Sequence, residues 1–187
     1  MQDFINSDLG IAFTQALGFL ATSAGLISFQ MKRRGDILVC QMLCSMLFAV
    51  QLAFLGKLSG VIFNVLGMIR AIIYSQRGKY KWADSNAFPI VFIILFVSIS
   101  TVLAFVESPF ALLPAGAMTV ISISQFLKRE RLIRSVALAA SPMWIIYHLL
   151  YSHSVGGWAG EIFIMLSIVV SLIRYRGKER NKIIKRL

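Results

Sequence analysis

Residues 60–77 read GVIFNVLGMIRAIIYSQR, and residues 157–174 read GWAGEIFIMLSIVVSLIR. Each opens on glycine and ends on arginine. Each is also long and apolar enough to cross a bilayer, which takes about 20 residues with a lower limit near 17. Set one on the other, Gly60 falls on Gly157, Asn64 on Glu161 and Arg77 on Arg174, an offset of 97 residues from 60 to 157. The same offset runs back through the preceding segments, placing Met46 on Met143 and Gln51 on His148. The two stretches therefore read as membrane helices that occupy equivalent places in an internal repeat.

The rest of the chain agrees with a membrane setting. Its 187 residues are 58% hydrophobic and 14% charged, with a mean hydropathy of +0.77, where a soluble domain carries about 25% charged residues. This excludes a soluble enzyme, a disordered tail and a disulfide-stapled secreted module. Seven spans are expected, at roughly 9–31, 38–55, 60–76, 87–106, 109–127, 135–151 and 157–174. Fusing the second and third into one fails on Gly56, Lys57, Ser59 and Gly60, a polar turn bounded by glycines.

A formal net charge of +11 would suggest nucleic acid in a soluble protein, but here topology explains it. Of nineteen basic residues, all but Lys57 and Arg70 fall on one side of the seven spans. They follow span one (Lys32, Arg33, Arg34), follow span three (Arg77, Lys79, Lys81), separate spans five and six (Lys128, Arg129, Arg131, Arg134) and end the chain. Basic loops stay inside, so the expected orientation has the N-terminus outside and the C-terminus cytoplasmic. Opposite them stand Lys57, Asp3, Asp8 and Glu107. The acidic start, MQDFINSD, lacks the positive region of a secretory signal, and span one is expected to be a permanent helix. Cys40 and Cys44, one turn apart, are expected to be reduced and packed. Tyr80 and Trp82 mark one interface, Tyr151 and Trp158 the other. The tail YRGKERNKIIKRL satisfies the same topology and suits anionic lipid headgroups.

With the offset slipped by two, Gln30 at the end of span one meets Gln125 at the end of span five. LISFQMKRR and ISISQFLKRE share the same apolar-Gln-basic exit. A three-helix unit ends on the side opposite its start, so two parallel copies need one helix between them, and span four supplies it. This arrangement resembles the SWEET and PQ-loop families, which join two triple-helix bundles by a linker helix. More specifically, the chain resembles the YgjV family of bacterial inner-membrane proteins. That resemblance rests on Gly18-Phe19-Leu20, the Gln30-Met31-Lys32-Arg33 exit, GVIFNVLGMIR (60–70) and WIIYHLLYSHSVGGWAGEIF (144–163).

The expected fold is therefore an all-α membrane protein of seven transmembrane helices in the bacterial inner membrane. Residues 1–82 would form the first triple-helix bundle, 83–108 the linker helix, 109–175 the second bundle and 176–187 a basic cytoplasmic tail. The Pro-Gln pair of PQ-loop proteins is absent, since Gln30 follows Phe29 and Gln125 follows Ser124. Pro114 and Pro142 are the helix-bending candidates instead.

Ionisable residues at membrane depth usually face a cavity or a partner. Gly60, Asn64, Gly67, Ala71 and Tyr74 share one face of span three; on span seven that face reads Gly157, Glu161, Ile164, Ile168 and Ser171. Resemblance to SWEETs, whose third helix in each repeat contributes an asparagine to the substrate pocket, implies that Asn64 and Glu161 line one cavity. Two alternatives stay open: Asn64 as a hydrogen bond between helices, and Glu161 as a carboxylate favoured by its own helix start. Arg70 either snorkels to the inner interface or faces the cavity. Its depth differs from that of Glu161 by roughly 10 Å at 1.5 Å per residue, too far for direct contact. Trp144, Tyr147, His148 and Tyr151 share a face of span six, suited to sugars or cations and equally to ordinary packing. His148, matched by Gln51, is the better candidate.

The expected substrate-binding residues are Asn64 and Glu161, then Gln51, His148, Arg70 and Tyr147. No set for a metal, cofactor or catalytic reaction is present, so no enzyme is expected. The function expected is transport of a small polar solute, sugar-like or another neutral or cationic metabolite, by rocking one bundle against the other. Glutamate in place of asparagine favours a solute with hydroxyl or amine donors over an anion. The alternative is a non-transporting structural or accessory membrane protein. Expected partners are the solute, anionic lipid and, as an open option, a second copy of the chain; nucleic acid is not among them.

Overall fold

A computed structural model describes residues 7–127 and 129–184, with side chains as far as Arg174. Asp3, Lys128 and the tail side chains from Arg176 onward lie outside the described residues. The protein is all-helical. The helices are α1 (Asp8–Gln30), α2 (Arg34–Phe54), α3 (Leu58–Ser75), α4 (Ala87–Val106), α5 (Leu112–Phe126), α6 (Glu130–Ala137), α7 (Ser141–Tyr147) and α8 (Val155–Ile184). Among the described residues, seven segments are long and apolar enough to cross a membrane. The fifth joins a 3-10 turn at Pro109–Ala111 to α5, and the sixth runs from Glu130 to Ser152 through α6 and α7.

Local chemistry sets the helix ends. The Ser7 side chain accepts the Gly10 N–H at 3.1 Å and caps α1, with Asp8 in the first turn where the helix dipole favours a negative charge. Between α2 and α3 the chain turns at Gly56, whose φ of 66° is one a side chain resists. Ser59 and Gly60, expected in the turn, instead lie within the first turn of α3, just after Leu58. The sixth span is broken. Residues 138–140 form a turn, and α7 restarts with Pro142 in its first turn, where no N–H is needed. It then widens into a π turn at His148–Ser152 that stops at His153 in the left-handed region, φ 51°. Pro114 lies in the first turn of α5, a position proline tolerates.

Helix contacts close a ring: α1 on α2, α2 on α3, α3 on α5, α5 on α6 and α7, those two on α8, and α8 back on α1. The last contact follows from a stripe of small residues on α1. Gly10, Thr14, Gly18, Ala21, Thr22, Gly25 and Ser28 are all buried, and such residues let helix backbones approach closely. Thr22 Oγ1 donates to the Gly156 carbonyl at 3.3 Å across that interface. Helix α4 stands outside the ring against α5 and α3. Only a narrow stripe of it is buried (Pro89, Phe92, Phe96, Ser100 and Leu103), and its other face turns Ile90, Ile94, Val102 and Phe105 outward.

Candidate functional site

Inside the ring is a cavity of about 80 Å³, lined from every helix except α4. One water needs roughly 10–15 Å³ on that measure, so the space suits several waters or one small solute. Four of the residues expected at a substrate site line it: Asn64 and Arg70 from α3, His148 from the π turn and Glu161 from α8. The structure does not bring Gln51 and Tyr147 into the lining.

Asn64 Nδ2 donates to the Gly60 carbonyl one turn back at 2.9 Å. Its hydrogen bond therefore stays within its own helix, and the side-chain oxygen is left to the cavity. Glu161 is buried and lines the cavity wall beside Ser141. His148 is wedged between aromatic rings, stacked on Trp144 with centroids 5.6 Å apart and tilted against Phe48 at 5.7 Å. Its Nδ1 meets Ser152 Oγ at 2.9 Å, and its second ring nitrogen has no protein partner among the described residues. The ring fits because residue 157 is glycine: a Cβ there would lie 2.5 Å from Nδ1. The π turn aims this ring inward, and π turns of this kind recur at functional sites.

Arg70 does not snorkel. It is 2% exposed, with Nε donating to Gln125 Oε1 at 3.0 Å and Nη1 to the Met118 carbonyl at 2.8 Å. Gln125 in turn donates to Gln41 Oε1 at 2.5 Å. Sequence reasoning passed over Gln41, Gln125 and Ser141 as cavity residues. A signal existed, because Gln41, Cys44, Ser45 and Phe48 recur at helical spacing and all line the cavity. Gln125 was also already the counterpart of Gln30.

Hydrogen bonds also tie the helices together on either side of the cavity. At the basic rim, Arg34 donates to the Tyr74 and Gln125 carbonyls at 3.0 and 2.9 Å, and Arg134 to those of Phe29 and Met31 at 3.1 and 2.7 Å. At the opposite rim Gln51 Nε2 donates to Ser154 Oγ at 2.9 Å, and the Ser59 and Tyr147 hydroxyls meet at 3.0 Å. Gln51 and Tyr147 thus tie helices together outside the cavity lining.

A family model described as a bacterial inner membrane protein, Imp-YgjV, matches residues 12–179. The chain belongs to that family. This makes it a multi-pass inner-membrane protein, and the YgjV match takes in the whole cavity lining. No curated protein and no solved structure matches the chain. Among the described residues of this YgjV protein, no group of His, Cys, Asp and Glu is placed to hold a metal ion, and both cysteines are free thiols.

Proposed function

We propose that this YgjV protein carries a small polar solute across the inner membrane by rocking spans one to three against spans five to seven. The observation that carries the reading is the cavity at the centre of the ring, where Asn64, His148 and Glu161, set among apolar walls, keep hydrogen-bonding capacity that the protein does not use. Polar groups at membrane depth are costly unless they are partnered or serve a ligand.

Contacts between the two units support the rocking motion. Gln125 Oε1 accepts from Arg70, while its counterpart Gln30 donates to Ser167, which stands 97 residues after Arg70. Arg34 of the first unit reaches the end of α5, and Arg134 of the second reaches the end of α1. Each rim is thus held by a few hydrogen bonds across the same boundary, and access alternates if one set opens while the other stays closed. The charge bias adds the direction, N-terminus outside and C-terminus in the cytoplasm. Labelling of Lys57→Cys by an impermeant maleimide on intact cells checks it, and protection from the reagent would reverse it.

The rival reading, a structural subunit glued by its polar residues, draws less support because Asn64 bonds within its own helix. Flux of labelled sugars, polyols, amines and amino acids into liposomes carrying the purified protein tests the proposal. Asn64→Ala and Glu161→Gln should each cut the flux of the solute carried at least tenfold while leaving folded yield intact. Unchanged flux with reduced yield would sink the proposal and favour the structural reading.

A further inference from the structure

Arg70 is a cation in the interior of a membrane protein, and among the described residues no carboxylate pairs with it. Its two hydrogen-bond acceptors, Gln125 Oε1 and the Met118 carbonyl, are both neutral, and the Phe96 ring lies 5.7 Å from the guanidinium carbon. Neutral acceptors and a ring face do not neutralise a buried charge, and leaving one uncompensated is costly. A guanidinium has five N–H donors in a planar fork, matched to the two oxygens of a carboxylate. Nε and one Nη1 hydrogen are used, so donors remain on a side chain that lines the cavity. Gln125, itself bonded to Gln41, holds the fork at Nε, and orienting a binding group in advance lowers the cost of binding.

The other end of the cavity has the opposite character. Asn64 offers a carbonyl oxygen there and Glu161 a carboxyl group, and both accept hydrogen bonds. The six residues from Asn64 to Arg70 correspond to about 9 Å of helix rise, a separation the length of the arginine side chain can reduce.

Resting on the reading of this cavity as the solute's site, we infer that the solute is a small organic acid with an amine or hydroxyl at its far end. Its carboxylate is held by Arg70, and its donor end by Asn64 and Glu161. The charge missing beside Arg70 is supplied by the cargo, so a neutral sugar or a simple amine leaves half the site unmatched.

Trp144 lines the cavity and reports on it directly. With Trp82→Phe and Trp158→Phe, its fluorescence is the only tryptophan signal in the protein. Glycine, β-alanine and 4-aminobutyrate would be titrated, each beside its primary amide and the alkylamine of equal length, with glycerol, glucose and sodium chloride as separate arms. The expected result is a saturable change with at least one of the acids, at least tenfold weaker with its amide and its amine. Arg70→Gln should abolish that preference; since the acid–amide comparison is made on the Arg70 protein, the test stands even if this variant does not fold. Equal affinity for acid and amide would overturn the inference, as would saturation of the same change by chloride alone, which would make Arg70 a simple counter-ion site. Binding of glycerol or glucose with silent acids would overturn the inference but leave the solute cavity standing. No response in any arm would overturn both.

Discussion

A methyl group on Gly157 would sit 2.5 Å from His148 Nδ1 and 2.6 Å from Cγ, on a ring already held between Trp144 and Phe48. The ring is held on both faces and can move only towards the cavity, so Gly157→Ala should cost about 1–3 kcal/mol, the usual range for overpacking. Gly35 is the control. A Cβ there meets nothing within 4 Å, and Gly35→Ala should be neutral or stabilise by about 0.5 kcal/mol through the unfolded chain. Thermal unfolding of the two variants in detergent checks the contrast, and a Gly157→Ala protein as stable as the parent would contradict it. At this scale the residues that reach the cavity include ones that stand out against their surroundings in sequence. Asn64, Arg70, His148 and Glu161 break apolar runs, and all four line the cavity. Gln51 and Tyr147 break apolar runs as well, but their side chains are engaged by Ser154 and Ser59 of neighbouring segments. Whether a buried polar side chain meets cavity or neighbour depends on tertiary contacts that periodicity does not encode. Gln125 was missed for the converse reason: in sequence it belongs to a basic exit, and only the fold brings it under Arg70.

Helix α3 begins without a side-chain cap of its own. Glu107, from the connection between α4 and the fifth span, supplies it: Oε2 accepts the Ser59 N–H at 2.6 Å and Oε1 the Tyr151 hydroxyl at 2.9 Å. Lys57 lies over the same Tyr151 ring at 4.2 Å. Loss of a capping acceptor costs roughly 0.5–2 kcal/mol, so Glu107→Ala should destabilise by about that much. Glu107→Gln, which keeps one carbonyl oxygen, should fall between it and the parent. Melting midpoints in detergent give the order, and an alanine variant no worse than glutamine would contradict the capping role. Element boundaries were legible where composition changes sharply. The fourth span lies at the expected 87–106, matching Ala87–Val106. The second begins earlier than expected, at Arg34 rather than 38, because the Arg34 guanidinium finds two carbonyls across the ring and the helix can start on a basic residue. The break in span six was only half legible. Pro142 announces a disturbance, and its ring disfavours continuing the helix through the carbonyl of Leu138. The alanines at 139 and 140 gave no hint that the turn would fall there. The π turn is less visible still, since it depends on the His148 carbonyl accepting from the His153 N–H five residues on.

At the scale of the whole molecule, span number and the segregation of charge could be read from hydropathy and basic residues, because the bilayer constrains length and charge more tightly than water does. Closure of the ring was not anticipated, although the small-residue stripe of α1 had recorded it in the sequence: Gly18 and Gly25 leave room for Gln51 and Ile164 from neighbouring helices. That closure forms a cavity whose walls come from both halves of the chain, and the account depends on a solute occupying it. The most direct test is the melting midpoint of the purified protein in detergent against small amino acids, hydroxy acids, sugars, polyols and amines. Active compounds would be repeated on Asn64→Ala and Glu161→Gln. A ligand that binds only the folded state adds RT ln(1 + [L]/Kd) of stability, about 2.7 kcal/mol at a hundredfold excess over Kd. The account predicts that at least one compound raises the midpoint by several degrees in the parent and by less than a degree in both folded variants. An undiminished rise in both variants would place the solute elsewhere and contradict it.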